Sequence, residues 1–284
     1  MPFAASIAIL SLAQAALVAL PVARPLPAWL ESLRGRWWAL APALSIVVVV
    51  GGIALWSNSA TGLTYLALVA VPPLAALALA FLVHGSRLLL ALAVPPLFVL
   101  AWAVPEALAG EAAATVLSGL ACVALGWLLV NAVAARWLRW GIYAMAALDA
   151  ALVAANLLQG PSDVLSAAAP AADLPVLQVA NFGAARMGFG DLFVAALVGC
   201  LLAQPPANDA DGPRRRHIGA FEARRQWVGA GLVAVLALGF DLLFFAVDTL
   251  PATVPVAVAL AIVTRATRGD VRATSGPGAE RAQL

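Results

Sequence analysis

The chain has 284 residues, of which 64% are hydrophobic and only 11% charged, with a mean hydropathy of +0.98 and a net charge of +2. An ordinary soluble domain carries about 25% charged residues, so the shortfall excludes that class and predicts an all-α polytopic membrane protein. The small net charge, with every basic residue an Arg, gives no case for nucleic acid as a partner.

A helix needs about 20 apolar residues to cross about 30 Å of hydrocarbon. Nine runs approach that length: 3–22, 37–56, 63–83, 88–104, 112–133, 139–158, 187–203, 227–247 and 250–264. The first follows Met1-Pro2, without a basic leader, and reads as a retained helix. Pro95-Pro96 breaks the fourth, and the ninth is short and contains Pro255. Cys122 and Cys200 fall within apolar runs and read as buried thiols, with no disulfide framework or metal site. His84 and His217 lie in connections, where a solvated role is expected, and no His-Glu-x-x-His motif exists. Asn131 and Asn156 suit hydrogen bonds between helices. No cofactor motif is present, so none is expected. Residues 1–270 read as one membrane domain, with 139–264 as its catalytic part. The Gly/Pro/Ser/Ala/Glu composition of 271–284 predicts a disordered cytoplasmic tail.

Arginine placement orients the runs, because cytoplasmic loops are enriched in it. Connections after the first, third, fifth and seventh runs carry Arg24, Arg34 and Arg36; Arg87; Arg136 and Arg139; and the group Arg214, Arg215, Arg216, Arg224 and Arg225. Those after the second, fourth and eighth carry none, and that after the sixth only Arg186. The alternation predicts an outside N-terminus and a cytoplasmic C-terminus. Gln204–Gln226 then reads as a solvated cytoplasmic loop, with anionic headgroup binding as a lesser alternative.

Two aspartates break this apolar pattern. Asp149 interrupts the sixth run, and Asp191 closes Gly188-Phe189-Gly190-Asp191 at the head of the seventh. A carboxylate in hydrocarbon costs on the order of 2.5–3.5 kcal/mol even on lenient scales, so such residues face polar interiors and act there. Rise arithmetic from Arg139 puts Asp149 about 15 Å above the cytoplasmic face, and from Gln204 it puts Asp191 about 20 Å above it. Adjacent antiparallel helices can therefore present both carboxyls to one cavity. Asp241, about 9 Å from the outer face by the same arithmetic, is expected to point outward.

At these residues the chain resembles the presenilin and signal peptide peptidase family, the Gly-x-Gly-Asp intramembrane aspartyl proteases. Asp149 and Gly188-Phe189-Gly190-Asp191 match that family's motifs in order and helix number, and Leu174 to Met187 resembles its approach to the second motif. The family's Pro-Ala-Leu motif corresponds to Pro251-Ala252 or to Pro255, with Leu replaced; its Tyr before the first Asp is Leu148 here. The resemblance covers about 140–262 and is closer to the signal peptide peptidase branch. It implies nine membrane helices, catalytic Asp149 and Asp191, and a multi-pass location in a prokaryotic plasma membrane. It also implies membrane-spanning helical peptides, type II or signal-peptide remnants, as substrates within the lipid bilayer.

Two adjacent carboxyls would share a proton near neutral pH, one activating water and the other donating to the scissile carbonyl. A substrate helix must unwind first, and Val176-Leu177-Gln178-Val179 has the strand-like composition to pair with the freed backbone. Two alternatives stand beside this expectation: a proton-coupled transporter using paired intramembrane carboxylates, and a prepilin-peptidase-like protease.

Overall fold

The computed structural model describes residues 1–27, 44, 59–155, 157, 164, 168, 170–204, 215–245 and 251–274. The run expected at 37–56, residue 44 apart, and the residues Asn156 and Asp163 lie outside them. The described chain is mostly helical: α1 (Phe3–Ala19), α2 (Ser59–Leu77), α3 (Val94–Ala103), α4 (Leu108–Ala132), α5 (Ala135–Ala154), α6 (Phe189–Ala203), α7 (Arg215–Asp241) and α8 (Thr253–Thr274). A hairpin of β1 (Val179–Phe182) and β2 (Ala185–Gly188) leads directly into α6.

Two helices among the described residues are long and apolar enough to cross a membrane, Ser59–Leu82 and Leu108–Ala132. The nine-span arrangement expected from the sequence is therefore not supported, and the count is lower. The reason is local. Prolines cut the fourth run into a 3₁₀ turn at Leu88–Ala93 followed by the ten-residue α3. The first and seventh runs form apolar helices of 17 and 15 residues, and the apolar part of α8, Thr253–Ala266, is shorter still. Pro72 and Pro73 lie inside α2, whose last turn, Ala78–Leu82, widens into a π-helix.

Two further expectations shift. The loop expected at Gln204–Gln226 ends sooner, because α7 already begins at Arg215; Arg, Ala and Glu there are good helix formers. The tail expected from residue 271 is helical to Thr274, and 275–284 lie outside the described residues.

The core forms around α4, which packs against α2, α3 and α6. Its contact with α6 is close because Gly126 carries no side chain: a Cβ there would stand 3.1 Å from Leu197 Cα. α1 packs against α6 and α7, and α8 touches α5, α6 and α7. Cys122 and Cys200 are both buried free thiols, as expected. Large apolar side chains also face outward: Val69 is 76% exposed, Leu89 75% and Val235 70%. Such a surface is unusual for a monomer in water and suits an apolar surrounding.

Candidate active site

Asp191 is placed by its own helix. Gly188 is the N-cap of α6, and its backbone N–H donates to Asp191 Oδ2 at 3.2 Å, the half of a capping box that needs no side chain on the cap residue. A carboxylate belongs there electrostatically, since the first-turn amides and the helix dipole favour negative charge. Gln14 of α1, buried in an otherwise apolar helix, donates to the Asp191 carbonyl at 3.4 Å and ties this turn to α1.

Asp149 is placed by a different helix. Thr253 Oγ1 donates to Asp149 Oδ2 at 2.6 Å, and the Thr253 backbone N–H also bonds this carboxyl. Thr253 is the first residue of α8, so Asp149 sits at the N-terminal end of that helix, where its dipole favours a negative charge. Pro251 and Ala252 form the turn that starts α8, with Val254 N–H donating to Pro251 O at 3.1 Å. Pro255 lies in the first turn, where its missing N–H costs nothing.

The turns that carry the two carboxyls lie against one another. A Cβ on Gly190 would stand 3.6 Å from Met145 Cε, and Met145 lies one turn before Asp149 on the same face of α5. The structure thus brings together Asp149, Asp191, the Gly188–Gly190 turn and the start of α8. Both aspartates are half-buried.

The hairpin before α6 is set by its turn and by α4. Gly183 has a φ of +59°, which a two-residue hairpin of this type needs at its first turn position. The register pairs Val179 with Gly188 and Phe182 with Ala185. Glu111, Thr115, Ser118 and Cys122 form a polar stripe on α4 that bonds this region: Gly183 N–H donates to Glu111 Oε2 at 2.6 Å, Thr115 Oγ1 to Asn181 O at 3.3 Å, Ser118 Oγ to Leu177 O at 2.8 Å and Cys122 Sγ to Phe189 O at 3.8 Å.

The strand expected at Val176–Val179 is therefore displaced, and only Val179 belongs to it. Leu177 is fully buried with its carbonyl held by Ser118, and Gln178 Nε2 donates to Ala168 O at 2.8 Å. Those bonds commit the segment to packing rather than pairing.

Asp241 does not point outward as expected. Half-buried, it accepts a 2.7 Å hydrogen bond from Ser11 Oγ of α1, which holds the carboxylate against that helix. Asn131 bonds Trp127 O in its own helix and Arg24 O in the segment after α1. His84 is exposed, with Nδ1 3.0 Å from Leu20 O. Comparison with protein-family models, with curated proteins and with solved structures finds no match.

Sequence reasoning missed Thr253, Gln14 and the α4 stripe. Each had a signal. Thr253 follows Pro251-Ala252, one of the two alignments of the Pro-Ala-Leu motif, and under that alignment the change from Leu itself marked a polar residue. The stripe repeats at helical spacing along an otherwise apolar run.

Thr253→Val keeps the shape and removes the hydroxyl. A hydrogen bond to a charged group contributes about 1.5–3 kcal/mol, so kcat for the reaction proposed below is expected to fall about 10–100-fold, with KM little changed. Thr253→Ser should restore most of it. Equal kcat in all three proteins would show that the hydroxyl plays no part.

Proposed function

We propose that the chain is an intramembrane aspartyl endopeptidase, similar to the presenilin and signal peptide peptidase family, that hydrolyses peptide bonds within membrane-spanning helices. The observation that carries this reading is that the turn holding Asp191 packs against the helix that carries Asp149, with Asp191 at the start of α6 and Asp149 bonded to the start of α8. In this reading the protein is a multi-pass membrane protein of a prokaryotic plasma membrane, with its N-terminus outside, and its outward Val, Leu and Trp side chains meet lipid.

The chemistry follows from the pair. One carboxylate takes a proton from water as the water oxygen attacks the scissile carbonyl carbon, while the protonated partner donates to the carbonyl oxygen. Collapse of the tetrahedral intermediate breaks the C–N bond: the proton held by the first carboxyl passes to the leaving amine, and the second, now ionised, takes back the proton of one diol hydroxyl as the carbonyl re-forms. The pair then again holds one proton. The amides at the starts of α6 and α8 favour the negative charge this cycle needs.

The substrate is a membrane helix that unwinds locally, because helical carbonyls are closed to attack. Its freed backbone groups need partners that lipid cannot supply. The β1–β2 hairpin is the candidate in this reading: among the described residues it is two-stranded, and β2, which runs into Gly188 beside Asp191, has no second strand partner, whereas the Asn181 carbonyl of β1 is already taken by Thr115. Pairing there would bring an extended substrate alongside the two carboxyls.

The test is cleavage of a tagged type II membrane peptide by the purified protein in liposomes, with Asp191→Ala as the blank. Fragments are expected from the unaltered protein alone. Equal fragments from both would assign the cleavage to a contaminant and end the proposal.

A further inference from the structure

A cavity of about 360 Å³ opens between α5 and α8 at the ends remote from the two aspartates, lined by Arg136, Arg139, Trp140 and Tyr143 on one side and Thr264 and Arg265 on the other. The α5 residues recur at intervals of three and four and so share one face of that helix. The volume lies within the range of small-ligand sites, about 300–1,000 Å³.

Its electrostatics are one-sided. Three arginines line it, and among the described residues none has a carboxylate at ion-pair distance. Arg136 lies 5.3 Å over the Trp137 ring, and Arg139 Nε is anchored on Ala135 O at 3.3 Å. The Thr264 hydroxyl donates to Leu260 O and Ala261 O within its own helix. Three like charges around one cavity repel each other until an anion enters.

We propose that this cavity binds a phosphate-bearing anion, with the headgroup of an acidic phospholipid as the source its surroundings favour. Guanidinium groups suit phosphate because their paired N–H donors match its oxygens. The rim supplies the lipid argument. Trp140 is 69% exposed and meets Tyr143 edge to face at 6.3 Å, and Trp137 beside it is 43% exposed. Amphipathic rings and arginines together are what the headgroup level of a bilayer selects.

The location gives the site a consequence. Arg139 precedes Asp149 by ten residues on α5 and Arg265 follows Thr253 by twelve on α8, about 15–18 Å in each case. A bound headgroup would join the same two helices that the Asp149–Thr253 bond joins at the other end. The proposal stands whether or not the two aspartates cut peptide bonds, since its readout is binding.

The experiment uses the full-length protein in a neutral detergent, following thermal unfolding while phosphatidylglycerol, phosphatidylcholine or inorganic phosphate is titrated. Phosphatidylglycerol is expected to raise the midpoint at lower concentration than phosphatidylcholine. Each arginine removed should weaken that response by about fivefold, so Arg139→Gln/Arg265→Gln should need about 25-fold more lipid. Arg265→Gln alone, at an exposed position, tests the same point if the double variant folds poorly. A shift reproduced by inorganic phosphate and lost in the variants supports the anion site and assigns it to free phosphate. Equal phosphatidylglycerol affinity in the unaltered protein and both variants would overturn the proposal.

Discussion

Replacing Asp149 or Asp191 by Asn is expected to lower peptide-bond cleavage by on the order of 10³-fold or more while leaving a folded protein. Asn keeps the shape of the side chain and can still accept the bonds from Thr253 or Gly188, so the helix starts should hold. It cannot take up and return the proton, so the cycle stops. Two groups that act as one unit lose nearly everything with either member, and the double variant should be no slower than the worse single one. Asp241→Asn serves as the control. Its amide oxygen can still accept from Ser11, and it lies against α1 outside the proposed pair, so most activity should remain. Initial rates on the tagged peptide read all four variants. Wild-type rates in both single variants would rule out the two aspartates as the hydrolytic pair.

The second large effect concerns how α6 is seated. Gly199 lies where α6 meets the end of α1, and a Cβ there would fall 2.6 Å from Val18 O and 2.7 Å from Leu17 O. Those atoms are backbone and cannot swing aside. Gly199→Ala should therefore cost about 1–3 kcal/mol by overpacking, despite the gain of up to about 1 kcal/mol that alanine brings to a helix. Gly199→Leu should prevent α1 and α6 from closing and, with α6, displace Asp191. Gly231→Ala is the matched comparison, because nothing lies within 4 Å of the added atom and only the helix gain remains. Thermal unfolding followed by circular dichroism should move in opposite directions for the two alanine variants. Stabilisation by Gly199→Ala would mean that the α1–α6 contact is looser than described.

Much of the site was legible because it rests on local rules. Gly188 to Asp191 reads as a helix start from sequence alone, and a capped helix start is what forms. Asp149 and Asp191 were matched in depth by counting residues, which holds as long as both segments are helical. What could not be read depended on tertiary bonds. Thr253 reaches Asp149 across 104 residues of chain, and no periodicity encodes that contact. The strand lies three residues later than its composition suggested, because Gly183 sets the register while Ser118 and Ala168 engage the residues before it. Hydropathy overcounted spanning helices for a related reason. It sums apolar character over a window and is blind to where prolines such as Pro95 and Pro96 divide a run.

The most direct measurement of the central claim is the mass of the products formed from a membrane-spanning peptide by the protein in liposomes made up in ¹⁸O-labelled water. Hydrolysis by a carboxyl-activated water places one labelled oxygen in the new C-terminal carboxyl group. The account predicts two fragments cut inside the apolar segment, with that label on the N-terminal fragment and neither product formed by Asp149→Asn or Asp191→Asn. An intact peptide, together with proton flux that depends on the same two aspartates, would contradict it and identify the pair as a proton relay.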